Sequence, residues 1–271
     1  MTFRKSILAL SLFSMLPPTI QAEEYSDQFN ASVIFDDDFD NYTGLVYSHY
    51  FDKLQSFGPK DYFGFNQRNN QIDANISFPE LEFMDERYMN VNGQYNTGNF
   101  QLSAGYSRLD NDESDFDFSA TSLGVNYFVN NNWSVGIDTD QPDEGSSITR
   151  INTKYLMQLS GMDSLGFTLR WNDFSREFFA NAEYFKQLSN NRYLLLNLGA
   201  NEDLDLSAGA KFYFDNSRAV STSFSSDGLT SVGYQQFLSN DWRLSIDVNN
   251  PLEDDDILMS RTFAFNASRF F

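Results

Sequence analysis

The 271-residue chain predicts an all-β fold, a transmembrane antiparallel up-and-down barrel of about sixteen strands. Three observations lead there. Apolar and polar residues alternate with period two through most of the chain. The connections between the alternating segments are of two kinds in strict rotation, and aromatic residues gather beside one kind.

The N-terminus comes first. "MTFRKSILALSLFSMLPPTIQA" carries Arg4 and Lys5, an apolar run from Ile7 to Leu16, and Ala22 at its end. This reads as an export signal over residues 1–22, with the barrel over 23–271. Pro17 and Pro18 cut the run well short of the roughly 20 apolar residues that a spanning helix needs. Removing Arg4 and Lys5 leaves 16 basic against 38 acidic residues, a net charge of -22.

Period two then takes over. In "FQLSAGY", Phe100, Leu102, Ala104 and Tyr106 share one face, and Gln101, Ser103 and Gly105 share the other. "RINTKYLMQL", "LGFTLRW" and "LSAGAKFYF" repeat the pattern, which is that of strands with one apolar and one polar face. In order, the strands fall at 28–35, 42–51, 71–78, 87–95, 100–109, 118–129, 133–139 and 148–159. They continue at 165–171, 178–188, 192–200, 204–214, 218–224, 229–238, 242–249 and 257–271. The even number returns both ends to one side. Fourteen or eighteen strands also fit, because 51–70 and 218–238 are the least regular stretches.

The connections decide between a barrel and a sandwich. One kind is short and nearly uncharged: "NTGN" at 96–99, "NNN" at 130–132, "SGMDS" at 160–164, "SNN" at 189–191, "DNS" at 215–217 and "SND" at 239–241. The other is mostly acidic: "DDDFDN" at 36–41, "PELEFMDE" at 79–86, "DNDESDFD" at 110–117, "DQPDEGSS" at 140–147, "NEDLD" at 201–205 and "NPLEDDD" at 250–256. "NDFSRE" at 172–177 and "SSDG" at 225–228 are milder members of this second kind. Short periplasmic turns and longer outside loops distinguish an outer-membrane barrel, whereas a sandwich has no reason to sort its loops by end.

Within this frame "NNWSVGID" and "NDWRLSID" share one plan. Trp133 and Trp242 each open a strand just after a short turn, where an indole suits the membrane interface. Tyr95 and Phe100, Phe185 and Tyr193, and Phe237 beside Trp242 flank further short turns and complete an expected interface girdle. Turning the polar face of each strand inward places Arg150, Lys154, Arg170, Lys211 and Arg243 in the lumen, with Asp73, Asp138, Glu183, Asp205 and Asp247. That balanced, charged interior suits water-filled passage, because side chains alone do not fill sixteen strands. The stretch 52–70 is too long for a plain turn, so a periplasmic-side plug or a short helix against the rim is expected there.

The final strand, "RTFAFNASRFF", alternates through Phe263 and Phe265 and ends on Phe271. It resembles the C-terminal strand of bacterial outer-membrane proteins, which implies recognition by the barrel-insertion machinery. Arg269 departs from the pattern. "YSHYFDKLQSFGPKDYFGFNQRNNQIDANISF" at 47–78 resembles the tyrosine-rich strand, Gly-Pro turn and following strand of the general porins of Gammaproteobacteria. The resemblance implies a passive diffusion channel in the outer membrane, and its sixteen-stranded members imply a homotrimer.

Other chemistry is poorly supplied. The net charge of -20 disfavours nucleic acid as a partner. The absence of cysteine and the single histidine, His49, argue against thiolate or clustered imidazole metal sites, and no cofactor is expected. Ser48 points to the opposite face from His49 on a strand, so no nucleophile and base pair is formed and no enzyme is expected. The acidic runs lack calcium-loop spacing. The leading expectation is therefore a porin passing small hydrophilic solutes and ions, mildly cation-preferring, among outer-membrane lipid and lipopolysaccharide. The alternative is a structural or surface-interaction barrel that binds divalent cations or partners through its acidic loops.

The rotation of turn types generates a topological prediction. Single cysteines in 110–117 or 250–256 are labelled by an impermeant thiol reagent on intact cells, and cysteines in 130–132 or 239–241 are not. The reverse pattern of labelling inverts the barrel and refutes this topology.

Overall fold

Segments with one apolar and one polar face can hide their backbone from lipid only by pairing on both edges, and here the pairing closes. The computed structural model describes residues 24–36, 42–56, 58–65, 68–81, 84–111, 118–189, 191–226, 228–251 and 261–271. The first eight strands are β1 (Glu24–Asp36), β2 (Tyr42–Gln55), β3 (Gln71–Leu81), β4 (Met84–Thr97), β5 (Phe100–Asn111), β6 (Phe118–Asn130), β7 (Trp133–Pro142) and β8 (Ile148–Gln158). The second eight are β9 (Ser164–Asn172), β10 (Phe178–Ser189), β11 (Arg192–Asn201), β12 (Leu206–Asp215), β13 (Arg218–Ser225), β14 (Leu229–Phe237), β15 (Trp242–Pro251) and β16 (Thr262–Phe270).

Each strand pairs antiparallel with its sequence neighbours, and β1 pairs with β16, so the sheet is a closed sixteen-stranded barrel. All sixteen expected strands are present, and the differences lie at their ends. β1 begins at Glu24 and β2 runs on to Gln55, because Glu24 pairs with Gln55 and accepts hydrogen bonds from Lys53 Nζ at 2.9 Å and Gln55 Nε2 at 3.0 Å. The connection expected at 79–86 is largely strand: Glu80 pairs with Asp85 and Leu81 with Met84. The acidic runs at 36–41, 110–117 and 250–256, and the export signal at 1–22, lie mostly or wholly outside the described residues.

The register sorts side chains into two populations. Val91, Tyr95, Leu102, Tyr106, Leu123, Ile137 and Val232 are exposed on the outer wall, while their polar neighbours in sequence face the lumen. On a soluble protein so large an apolar surface would be a liability, but on a barrel wall it is the face that meets lipid.

The closing seam brings Phe271 against the start of β1 at the short-turn end. The Phe271 carbonyl accepts the Ser26 N–H at 2.8 Å and the Asp27 N–H at 3.3 Å, and the Phe271 N–H donates to the Asp27 carbonyl at 2.9 Å. Arg269, which breaks the terminal alternation, has a structural explanation. Its guanidinium sits 4.5 Å from the Phe271 ring centroid and 5.5 Å from that of Trp242. The apolar stem follows the wall and the charge rests on aromatic faces at the rim. Phe270 turns inward instead and is buried beside Tyr25, Leu54 and Phe237.

Phe271 therefore closes the seam through its backbone, with each hydrogen bond worth about 1 kcal/mol net. Deleting Phe271 is expected to lower the yield of heat-modifiable barrel on gels. Arg269→Leu, which spares those bonds, should leave the yield near that of the parent chain. Equal yields for the deletion and the parent refute the seam's dependence on this residue.

Candidate functional site

The site is the lumen, and cross-strand pairs build it. Asp138 on β7 lies opposite Arg150 on β8. Arg150 Nε donates to Asp138 Oδ1 at 2.6 Å, and its Nη2 donates to Asp140 Oδ2 at 2.6 Å. Asp140 was not among the expected lumen residues because "TDQPDEG" reads as a loop. Its spacing of two from Asp138 is the signal that places it on the same face. This charged arch borders a polar recess of about 290 Å³, whose lining includes Asn90, Asn92, Ser122, Asn126 and Asn152. Carboxamides and hydroxyls both donate and accept, so water or a hydroxylated solute is accommodated there without net charge.

The other expected lumen charges distribute around the wall. Asp73 lies between Ser48 and Asn92 in the cross-strand row and accepts from Gln71 Nε2 at 2.7 Å. Lys154 pairs with Thr168, and Arg170 with Asn152, on the inner faces of β8 and β9. Glu183 on β10 lies opposite Gly166. Lys211, Arg243 and Asp247 face inward on β12 and β15, where Gly233 leaves room for the Asp247 carboxylate. Asp205 is a correction. It lies in the exposed 202–205 turn, donating its N–H to Asn201 Oδ1 and accepting from Asn201 Nδ2, each at 2.8 Å. β12 begins only at Leu206, one residue beyond it.

The aromatic set divides. Tyr95, Phe100, Trp133 and Trp242 are exposed on the outer wall, and the Trp133 indole N–H donates to Thr153 Oγ1 at 2.9 Å. Phe185, Tyr193 and Phe237, expected in the same girdle, are instead inward and almost fully buried. Parity requires this. Glu183 and Phe185 are two residues apart and share a face, Tyr193 continues the inward row of Asn197 and Leu195, and Phe237 lies opposite Arg243. Closeness to a turn does not decide which side a ring takes.

What these inward rings receive is the segment between β2 and β3. Its described residues are not helical, and they enter the periplasmic end of the lumen. Gly58 has a φ of +84, and a Cβ there would sit 2.7 Å from the Tyr193 ring. Pro59 and Lys60 follow, both buried. Lys60 donates its backbone N–H to the Asn216 carbonyl at 2.9 Å and its Nζ to Asn240 Oδ1 at 2.9 Å, tying the segment to two periplasmic turns. Tyr62 stacks on Phe185 with ring centroids 4.0 Å apart and planes within 9°. Its hydroxyl donates to Glu183 at 3.1 Å. Burial, and then the nearby Glu183 charge, push the Tyr62 phenol well above its usual range, so it remains the donor.

The segment continues across the lumen. Phe65 lies over Gly166, where a Cβ would come within 2.5 Å of the ring. Arg68 places its guanidinium 3.8 Å from the Phe128 ring centroid and donates to the Asn130 carbonyl at 3.0 Å. Residues 58–65 and 68–70 thus touch the wall at β1, β2, β4, β6, β9 to β12, β14 and β15, and form a plug. Asp61, 5% exposed, is its charged centre. It accepts from Lys211 Nζ and from Gln235 Nε2, both at 2.7 Å, with Arg243 Nη1 at 3.7 Å.

Among the described residues no cluster of His, Cys, Asp and Glu is arranged to hold a metal ion. His49 Nδ1 lies 2.8 Å from Asp27 Oδ1, and the Tyr47 hydroxyl donates to that same oxygen at 2.6 Å. The contacts tie β1 to β2 and present no nucleophile to the lumen.

Comparison with known proteins agrees with this geometry. The family described as "Putative general bacterial porin" matches residues 4–271. Among solved structures the chain is similar to the outer membrane protein Omp33 of Acinetobacter baumannii, with 14% identity and a TM-score of 0.55, covering 93% of this chain and 100% of that one. It is also similar to CdiB from Acinetobacter baumannii, with 10% identity and a TM-score of 0.58, covering 91% of this chain and 60% of that one. A bacterial polysaccharide outer membrane secretin aligns with 12% identity and a TM-score of 0.51 over 90% of this chain and 98% of that one. At these identities the structural likenesses speak for the fold. No curated protein matches in sequence.

Proposed function

Because the chain belongs to the putative general bacterial porin family and forms a porin-type channel in the outer membrane, we propose that it passes small hydrophilic solutes and ions down their gradients with a mild preference for cations. The observation that carries this reading is the contrast between the two faces of the wall. The outside is apolar, and the inside, apart from the aromatic rings that receive the plug, is a row of carboxamides, hydroxyls and opposed charges. Arg150 between Asp138 and Asp140 sets basic and acidic groups side by side, a field that orders dipolar solutes without strongly rejecting either sign of ion.

The cation preference rests on the acidic connections. Their charge acts through a screening length of about 8 Å at physiological salt, enriching cations at the mouth and fading in concentrated salt. Residues 1–22 serve in this reading as a cleaved export signal, with Phe263, Phe265 and Phe271 as the terminal pattern that the insertion machinery reads. The outer wall meets lipid and lipopolysaccharide, and the assembly is a homotrimer.

One observation favours the second reading, a structural or surface-interaction barrel: the plug lies across the periplasmic end. Planar-bilayer recordings separate the two. Reversal potentials in a KCl gradient are expected to show mild cation selectivity at low salt that declines as salt rises. Neutralising Asp254, Asp255 and Asp256 should weaken that preference. Replacing Arg150 and Arg170 with Ala, which leaves Asp138 and Asp140 without their cation, should strengthen it. Strong anion selectivity, or no conductance from the assembled barrel and its variants, favours the structural barrel.

A further inference from the structure

Three wall residues on three strands converge on one carboxylate oxygen of the plug. Lys211 on β12 and Gln235 on β14 each donate to Asp61 Oδ2 at 2.7 Å, and Arg243 on β15 stands 3.7 Å away. Lys211 Nζ also donates to Gln235 Oε1 at 2.7 Å. That bond fixes which way the Gln235 amide points, so its NH₂ is aimed at the carboxylate. The arrangement is thus set by the wall itself.

The wall around this point holds two cations and an aimed amide donor against the single carboxylate of Asp247, with Glu183 farther along committed to Tyr62. Emptied of the plug, it retains donors and positive charge directed at one position in the lumen, and an anion with planar oxygens completes it. Asp61 completes it imperfectly. Its Oδ1 is buried and has no hydrogen-bond partner, a costly state for half of an ionised group. A free carboxylate that can turn both oxygens toward Lys211, Gln235 and Arg243 has no such handicap.

We propose that Lys211, Gln235 and Arg243 form a carboxylate-binding subsite of the channel, and that Asp61 occupies it as a resident pseudo-ligand that a solute carboxylate displaces. The proposal rests on the channel reading above and adds to it a solute class and a way for the plug to move. The tethered Asp61 competes at an effective concentration on the order of millimolar, so solutes at millimolar levels and above are the ones that release it. The acidic connections bias ions at the mouth, whereas this subsite selects among solutes at the periplasmic end.

Single-channel recording at constant ionic strength tests the idea, with propionate as the probe and propionamide as its neutral isostere. Propionate is expected to raise the opening frequency of the parent channel by about tenfold, as a ligand with a tenfold preference for the open state would, and propionamide to leave it unchanged. Asp61→Asn channels should open often and ignore propionate. Arg243→Gln channels should open and also lose the response.

A tether supplies a variant that leaves the subsite intact. The chain has no cysteine of its own, and the backbone hydrogen bond from Lys60 to Asn216 at 2.9 Å makes those neighbouring positions the pair to cross-link. Oxidising a Lys60→Cys, Asn216→Cys pair should abolish the propionate response, and reduction should restore it. Openings of the parent channel that are indifferent to propionate, or an oxidised pair that responds as fully as the reduced one, overturn the subsite while leaving the channel in place. Failure of every variant, Asp61→Asn included, to conduct overturns the channel reading itself.

Discussion

Everything in this molecule depends on the requirement that each backbone N–H and C=O inside the bilayer finds a partner within the protein. Lipid offers none, and a sheet satisfies its backbone only when its two edges meet. The pairing of β1 with β16 is therefore the condition for the other strand pairs to exist in the membrane at all. Once the ladder is closed, side-chain facing follows from parity. A slip of one residue would send Arg150 into lipid and Ile151 into the lumen. The alternation read along the chain and the wall seen in three dimensions are the same fact.

That explains what was legible in the sequence. The inward rows through Asp138, Arg150, Lys154 and Asp247 follow from local period two, and the turn rotation from the composition of the connections, which together point to about sixteen strands. The misplaced residues have equally physical causes. Phe185, Tyr193 and Phe237 were assigned by their distance from a turn, although their parity with Glu183, Asn197 and Gln235 already put them inside. Asp205 fell outside the wall because the 202–205 turn closes one residue before the strand begins. Asp140 was lost to a loop because an acidic run and a strand end look alike until pairing is known.

The plug illustrates the other limit. Asp61 meets Lys211, 150 positions away, and Tyr62 meets Phe185. Nothing local in "GPKDYFGF" encodes such partners. A trace survives nonetheless in the wall. Large aromatics on the lumen side of a channel are wasteful unless they pack against something, and the inward rings of β10, β11 and β12 lie where Tyr62 arrives. Gly166 makes the same point in reverse, since the space that its missing side chain leaves is taken by Phe65. Inward bulk on some strands and inward glycine on another together outline an object inside the barrel.

The same closure constraint settles where motion can reside. A barrel strand cannot leave its place without exposing unpaired backbone to lipid, so the wall between the rims has no low-energy alternative arrangement. The plug is under no such obligation. It sits in a lumen that can hold water, and its backbone reaches the wall through the Lys60 N–H to the Asn216 carbonyl and through the Asn70 carbonyl, which accepts the Phe51 N–H. Its remaining hold combines side-chain hydrogen bonds, a stacked ring, a cation over an aromatic face and a buried ion pair. Ion pairing is the component that solutes can imitate. Apolar packing releases only by exposing surface to water, whereas Asp61 can be exchanged for another carboxylate with little change in what Lys211 and Arg243 experience. In the proposed mechanism a channel keeps its wall intact and responds to what it carries through one charged contact of its insert, and Asp61, held by Lys211 and Gln235, supplies that contact.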